Sequence, residues 1–190
     1  MIEYEKKIML TANEYDTLIM LKGMYLPITR QENHYFDTDE LLMNSLGITC
    51  RVRHKNDKFT ATVKRHSRTR QDESFEYNVY EKSYFDPEPF YESGLQYQGK
   101  LVTDRIIVFE DEKCQIVLDC NKYLGKIDYE LEAEYSKGNK KYAMGFLDDI
   151  ADALVATFVL DNKAQFWGRV AKGKTKSERF FEEKQRWCRR

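Results

Sequence analysis

Three rows of charged side chains, each at alternate positions, are the residues best suited to chemistry in this chain. Glu3, Glu5 and Lys7 come first, Arg51 and Arg53 follow, and Glu130, Glu132 and Glu134 come late. In a strand, residues two apart point to the same side, roughly 7 Å from one another. Carboxylates so arranged repel unless solvent or cations come between them. Hard divalent cations such as Mg²⁺ and Mn²⁺ prefer oxygen ligands and bridge carboxylates to phosphates. Arg and Lys rows suit phosphate oxygens, Arg through its planar fork. Any one row has an ordinary reading as the solvated face of an antiparallel sheet. Several rows of both signs point instead to a barrel with a polar interior, where a polyphosphate and its metal satisfy both sets of charges. On this reading the three rows converge on one cavity, with Arg51, Arg53 and Lys64 meeting across one hairpin turned at Asn56-Asp57.

The elements that must position these rows are read from periodicity. Ile2, Tyr4, Ile8 and Leu10 alternate against Glu3, Glu5 and Lys7, with Lys6 the exception on the apolar face. Thr11-Ala12-Asn13-Glu14 has the form of a helix capping box. Strand patterns follow near 28–36, 48–55, 58–66, 74–82, 101–111, 113–121 and 126–135, with turn residues between several of them. Short helices are expected near 40–45 and 86–93, a long one over 138–156, and charged helix over 161–190. The fold class expected is α+β: an eight-stranded antiparallel β-barrel with flanking helices, in a single domain over 1–190.

Composition narrows the function classes. Lys+Arg 31 against Asp+Glu 32 gives a formal net charge of −1, unlike the basic excess of a general nucleic-acid binder. No apolar run reaches the ~20 residues needed to span a membrane, and no signal core follows Met1. Cys50, Cys114, Cys120 and Cys188 form no CxxC pair, which fits reduced thiols in a cytoplasm. A monomer or homodimer acting on a small molecule is expected, with no nucleic acid and no membrane.

Taken together, these segments resemble the CYTH domains, or triphosphate tunnel metalloenzymes, in their bacterial stand-alone form. Glu3-x-Glu5-x-Lys7 is similar to the family's opening ExExK. His34-Tyr35-Phe36-Asp37-Thr38 resembles its Y-F/Y-D-T segment, and Cys50-Arg51-Val52-Arg53 its LRxR strand with Cys50 in the Leu place. Thr62-Val63-Lys64 resembles its T-x-K strand, Asp104-Arg105 its next basic position, and Asp119 with Asp128-Tyr129-Glu130-Leu131-Glu132 its acidic strands. Thr175-Lys176-Ser177-Glu178-Arg179-Phe180-Phe181 resembles its S/N-K-x-x-R-F element. The resemblance implies a tunnel enzyme that uses Mg²⁺ or Mn²⁺ to cleave or cyclise a triphosphate. Glu3, Glu5, Asp119, Glu130 and Glu132 would be the metal side. Lys7, Arg51, Arg53, Lys64, Glu76, Arg105, Lys176 and Arg179 would form the substrate site, with Lys7 and Tyr35 as catalytic candidates. Hydrolysis of tripolyphosphate or a nucleoside triphosphate is the expected activity. Class IV adenylate cyclase, thiamine triphosphatase and a non-catalytic polyphosphate- or nucleotide-binding module are the alternatives.

The pattern departs from the family at Asn78, where a second Glu is usual after Glu76, and at Thr103, where Lys is common. Lys163 competes with Lys176 for the terminal lysine. Gly168–Thr175 matches GxxxxGK[ST], but a P-loop needs a parallel sheet and more chain than follows. His34, His54 and His66 are too dispersed for a metal site, although His66 shares a strand face with Lys64.

Overall fold

The computed structural model describes residues 2–23, 25–67, 72–170 and 174–188. Its strands are β1 (Ile2–Leu10), β2 (Ile28–Asp37), β3 (Ile48–Lys55), β4 (Lys58–His66), β5 (Glu73–Lys82), β6 (Gln96–Glu110), β7 (Cys114–Tyr123) and β8 (Lys126–Tyr135). They close into an antiparallel barrel in the order β1-β5-β4-β3-β2-β6-β7-β8, with β8 returning to β1. The α-helices are α1 (Ala12–Leu18), α2 (Leu42–Ser45), α3 (Glu88–Glu92), α4 (Lys140–Ala156), α5 (Lys163–Val170) and α6 (Lys176–Cys188).

The core of this barrel lies largely outside its bore. On β8, Leu131 and Ala133 point outward and are fully buried, as are Ile8 on β1 and Ile116 on β7. They pack against Ala143, Leu147, Ala151 and Leu154 of α4 and Phe166 of α5. Thr11 caps α1 with the expected box: it accepts from Glu14 N at 3.2 Å, and its own N–H donates to Glu14 Oε2 at 2.7 Å. Glu14 also accepts from both terminal guanidinium nitrogens of Arg169, which ties α1 to α5. A second outer cluster sets Phe36, Cys50, Val52 and Ala61 against Phe90 and Leu95. Cys50 therefore stands in for Leu as a packing residue, and burial pushes its thiol up to about 12. Asp37 is fully buried and accepts from the N–H groups of Thr38, Met43 and Asn44, so it anchors α2.

β6 starts earlier than its pattern suggests, at Gln96, because the ladder slips between Tyr35 and Phe36 and takes up an extra residue opposite them. Gly99 sits at that slip with φ +129, and a Cβ there would lie 2.9 Å from Phe180 Cζ. The charged C-terminal stretch is two helices rather than one. Lys163 on α5 pairs with Asp148 and Asp152 of α4, outside the barrel. In the P-loop-like stretch Gly168, Arg169 and Val170 end α5, residues 171–173 lie outside the described residues, and the paired strands are all antiparallel. No described helix is long and apolar enough to cross a membrane.

Candidate functional site in the barrel bore

Inward positions on every strand but β5, with the start of α6, line a cavity of about 220 Å³. α6 closes one end of it. Thr175 and Glu178 form a capping box, with Thr175 N–H on Glu178 Oε2 at 2.7 Å and Glu178 N–H on Thr175 Oγ1 at 3.2 Å. This start presents Lys176 and Ser177 to the bore, and Ser177 Oγ lies 2.7 Å from Thr49 Oγ1. Phe180 and Phe181 pack on Tyr35, while Lys184 donates to Gln98 O. The other end opens to solvent, as the β8 row records: the side chains of Glu130, Glu132 and Glu134 are 0%, 3% and 44% exposed.

The wall formed by β1, β6, β7 and β8 is dense with carboxylates and their cations. Asp119, Glu130 and Glu132 are buried with ligand oxygens within 4.8 Å of one another. Lys176 Nζ lies among them, 2.9 Å from Asp119 Oδ2, 2.9 Å from Glu132 Oε1, and in contact with Glu130. Arg105, which faces Asp119 in the ladder, binds both its oxygens at 2.8 and 2.7 Å and also reaches Glu132 and Glu134. Lys7 Nζ sits 3.1 Å from both Glu5 and Glu132. Burial alone would raise the Glu5 carboxyl, but Lys7 and Lys64 bring it down to about 2. Burial alone would discharge Lys7, yet Glu5, Glu132 and Glu130 outweigh it and hold the ammonium charged. Glu132 is likewise held well below the carboxylate range against burial, chiefly by Lys176 and Lys7. Burial raises Glu134, with Glu132 and Glu5 adding to it against Arg105.

The three-carboxylate set fits a hard divalent cation. All its donors are carboxylate oxygens, and neither oxygen of the fully buried Glu130 is in a hydrogen bond, although Lys176 and Arg179 lie against them.

The facing wall, on β3 and β4, is basic. Arg51 faces Thr62 and Thr49 faces Lys64 in the ladder, so Arg51 and Lys64 are diagonal neighbours. Arg51 donates to Thr62 Oγ1 and to Glu76 Oε2 at 2.9 Å. Lys64 reaches Glu3 at 2.8 Å and Glu5 at 3.6 Å. Arg53 donates to Asn33 Oδ1 at 3.0 Å and makes no ion pair among the described residues. Burial and the neighbouring Arg51 lower it to about 10, which still leaves it charged at neutral pH.

The residues singled out in the sequence divide in three. Glu3, Glu5, Lys7, Tyr35, Arg51, Arg53, Lys64, Arg105, Glu132 and Lys176 line the bore. Asp119 and Glu130 lie on the same inner face of the barrel, covered by Lys176, whose Nζ stands against both. Glu76 and Arg179 are off the bore. Glu76 lines a neighbouring groove, and Arg179 binds Asp128 and Glu130, which clamps α6 to β8. No hydrogen bond joins Tyr35 to Lys7 among the described residues, and Tyr35 is buried with its hydroxyl pKa raised by that burial. Glu134, Gln31, Asn33, Thr49 and Ser177 also line the bore and were not assigned to the site. Glu134 continues the Glu130-Glu132 alternation, and Gln31 and Asn33 precede Tyr35 on one face of β2, so those signals were present. Thr103, at a usual Lys position, is buried and donates to Asn121 Oδ1.

A closed antiparallel barrel with a charged, blind bore defines a class of tunnel protein built to hold an anion beside a cation. The chain belongs to the CYTH family: the CYTH domain matches residues 1–146. It is 34% identical over 147 residues to the Bacillus subtilis (strain 168) protein named "Putative triphosphatase YjbK", covering 70% of this chain and 77% of that protein. A Bacillus halodurans structure described as a "putative adenylate cyclase" superposes with a TM-score of 0.67 at 22% identity, over 94% of this chain and 97% of that one. A Hippeastrum "putative adenylyl cyclase" with "a dominant triphophatase activity" superposes at 0.58 and 19% identity, over 78% and 87%. These two similarities define the fold.

Proposed function

We propose that this protein is a divalent-metal-dependent hydrolase of linear triphosphates, tripolyphosphate before nucleoside triphosphates. The observation that carries the reading is Arg53: a half-buried guanidinium in the bore that makes no ion pair among the described residues, with the Asn33 amide as its hydrogen-bond partner and the Glu76 carboxylate acting on it only from farther off. A cation partly withdrawn from water without an ion-pair partner favours an anion beside it, and an anion in the bore supplies one. Arg51 and Lys64 flank the same space and would hold further phosphate oxygens. Asp119, Glu130 and Glu132 would hold Mg²⁺ or Mn²⁺, which supplies charge neutralisation at the phosphates and acidifies water. Phosphoryl transfer depends mainly on such positioning and neutralisation. Water adds to the terminal phosphorus, the bridging P–O bond breaks, diphosphate leaves and the proton passes to solvent. Lys7, held charged by Glu5 and Glu132, acts here as a cation and not as a base.

Among the described residues Tyr35 and His66 alone bring rings to the lining, and Tyr35 is packed against Phe180 and Phe181, so the bore favours phosphates over a nucleobase. On this reading the protein works in the cytoplasm on free small molecules. The test is a phosphate-release panel over tripolyphosphate, ATP, thiamine triphosphate and diphosphate, with Mg²⁺, Mn²⁺ or chelator, and cyclic AMP quantified alongside. Metal-dependent release of one orthophosphate per tripolyphosphate is expected. Cyclic AMP from ATP with tripolyphosphate left intact would assign a cyclase, and binding without turnover would assign a binding module.

A further inference from the structure

Two of the three histidines belong to the outer face of the barrel. His34 lies 3.6 Å from Glu32 and 3.4 Å from the Tyr97 hydroxyl, and His54 stacks on Phe59 with ring centroids 4.2 Å apart. His66, at the end of β4, lines the bore and is half-buried there. It shares the inner face with Lys64, roughly 7 Å along the strand. Its main-chain N–H donates to Gly47 O, but its ring makes no hydrogen bond and no ion pair among the described residues. Directly opposite it in the ladder stands Ser74, 2% exposed, whose Oγ has no hydrogen-bond partner either. Buried polar groups are ordinarily paired, so an unpaired hydroxyl beside an unpaired imidazole calls for a reason. Together the two can bind a water molecule, each as donor or acceptor.

The carboxylates of the lining are committed to cations: Glu3 to Lys64, Glu5 and Glu132 to Lys7, and Glu134 to Arg105. Lys7 and Lys176 are held charged against burial by the carboxylates around them. Around His66 the charges are of both signs: Lys64 on its own strand, Glu5 and Lys7 on β1, and Glu178 on α6. Glu76, across from Lys64 on β5, is taken by Arg51 of β3. Burial lowers the imidazole below its ordinary value, with Lys64 and Lys7 adding to it against Glu5 and Glu178, so the ring is neutral at neutral pH.

We infer that His66 is the general base of the bore: with Ser74 it holds the attacking water beside the phosphate that Lys64 grips, and it takes the proton that this water gives up. The inference rests on the triphosphate-hydrolase reading and adds to it the group that handles the proton. As the water oxygen bonds to the terminal phosphorus, its proton passes to the unprotonated ring nitrogen. The bridging P–O bond breaks, diphosphate leaves with the electron pair, and the imidazolium returns the proton to solvent.

The test joins the pH dependence of tripolyphosphate cleavage with NMR titration of the histidine rings, the latter with Mg²⁺ and without substrate. Wild type is compared with His66→Gln, His66→Asn and Ser74→Ala, and with His54→Gln as an outer-face control, melting curves verifying that each folds. Both His66 variants should lose about 10²-fold or more in kcat, as when a general base is removed, while KM changes by less than about 3-fold. An acid limb of kcat/KM should coincide with the His66 titration seen by NMR, because the protonated ring cannot accept, and both His66 variants should lack that limb. Ser74→Ala should lower kcat by about 3- to 10-fold, the worth of one hydrogen bond, and keep the limb. His54→Gln should change neither. A kcat loss under about 3-fold in the His66 variants, a raised KM with kcat unchanged, or a limb that survives in both would overturn the assignment. A wild type that releases no orthophosphate from tripolyphosphate would instead overturn the reading of the bore.

Discussion

On the β7–β8–β1 side of the bore each carboxylate of the buried triad has at least one cation against it, whereas on the β3–β4 side Arg53 makes no ion pair among the described residues and donates to the amide of Asn33. Both walls are built the same way, from alternate residues of antiparallel strands, and both are enclosed. The difference lies in how their charge is met. Lys7, Arg105, Lys176 and Arg179 come from three other parts of the chain to neutralise the acidic wall. The basic wall leaves charge over. Charge met within the acidic wall helps to hold the fold, and the charge left over on the basic wall is open to an anion. Glu132 and Arg53 should therefore respond to neutralisation in different ways.

The largest effect is expected at Glu132. Glu132→Gln removes the shared partner of Lys7, Arg105 and Lys176 and should cost about 3–5 kcal/mol in urea denaturation, because it leaves buried cations short of charge. A loss under about 1 kcal/mol would mean that the acidic wall is no more structural than the basic one. Arg53→Ala should do the opposite. Stability should hold within about 1 kcal/mol, while kcat on tripolyphosphate falls on the order of 10²-fold, as when an oxyanion donor is removed. A raised KM with kcat unchanged would reduce Arg53 to uniform binding.

Smaller effects test how the two walls are held in place. Gly99→Ala forces a left-handed φ on a residue with a side chain and sets its Cβ 2.9 Å from Phe180 Cζ. It should cost about 1–3 kcal/mol and loosen the α6 plug. Limited proteolysis near residue 174 reads the loosening, and an unchanged cleavage rate would separate Gly99 from α6. The smallest effect is at Asp72, which joins Lys140 of α4 to Tyr135 of β8. The Lys140 hydrogen bond is the main cause that lowers its carboxyl to about 2. A depressed carboxylate contributes stability above its unfolded pKa and loses it as pH falls from about 4 through about 2. Screening of this surface contact keeps that contribution to about 1 kcal/mol or less. Asp72→Asn should flatten stability over that acid window, and an unchanged pH slope would contradict the assignment.

Much of this was legible because period two survives translation into a barrel. The rows Glu3-Glu5-Lys7, Arg51-Arg53 and Glu130-Glu132-Glu134 each keep to one inner face, and the strand patterns lie within a few residues of the observed strands. Depth was not legible. Alternation puts Glu130 and Glu134 on one face equally, yet Glu130 lies behind Lys176 at the plugged end and Glu134 at the open one. Nor does alternation assign the partner of Arg179, since Asp128 and Glu130 meet it only once α6 has folded across the barrel. Glu76 keeps the inward alternation of β5, yet it pairs with Arg51 and lines a neighbouring groove. The start of α6 was readable: Thr175-x-x-Glu178 is the same capping signal as Thr11-x-x-Glu14, and it sets Lys176, not Lys163, at the bore.

The central claim is that the basic wall is an anion seat completed by a triphosphate between the two walls. Thermal unfolding of wild type and Arg53→Ala across a tripolyphosphate titration, with Mn²⁺ present, measures it most directly. Ligand bound only by the folded state should stabilise wild type by about 2.7 kcal/mol at a hundredfold excess over Kd, with a saturating rise in Tm. Arg53→Ala should shift far less at the same concentrations, and orthophosphate should shift neither protein to the same extent. Equal shifts in wild type and variant, or no shift in wild type, would contradict the account.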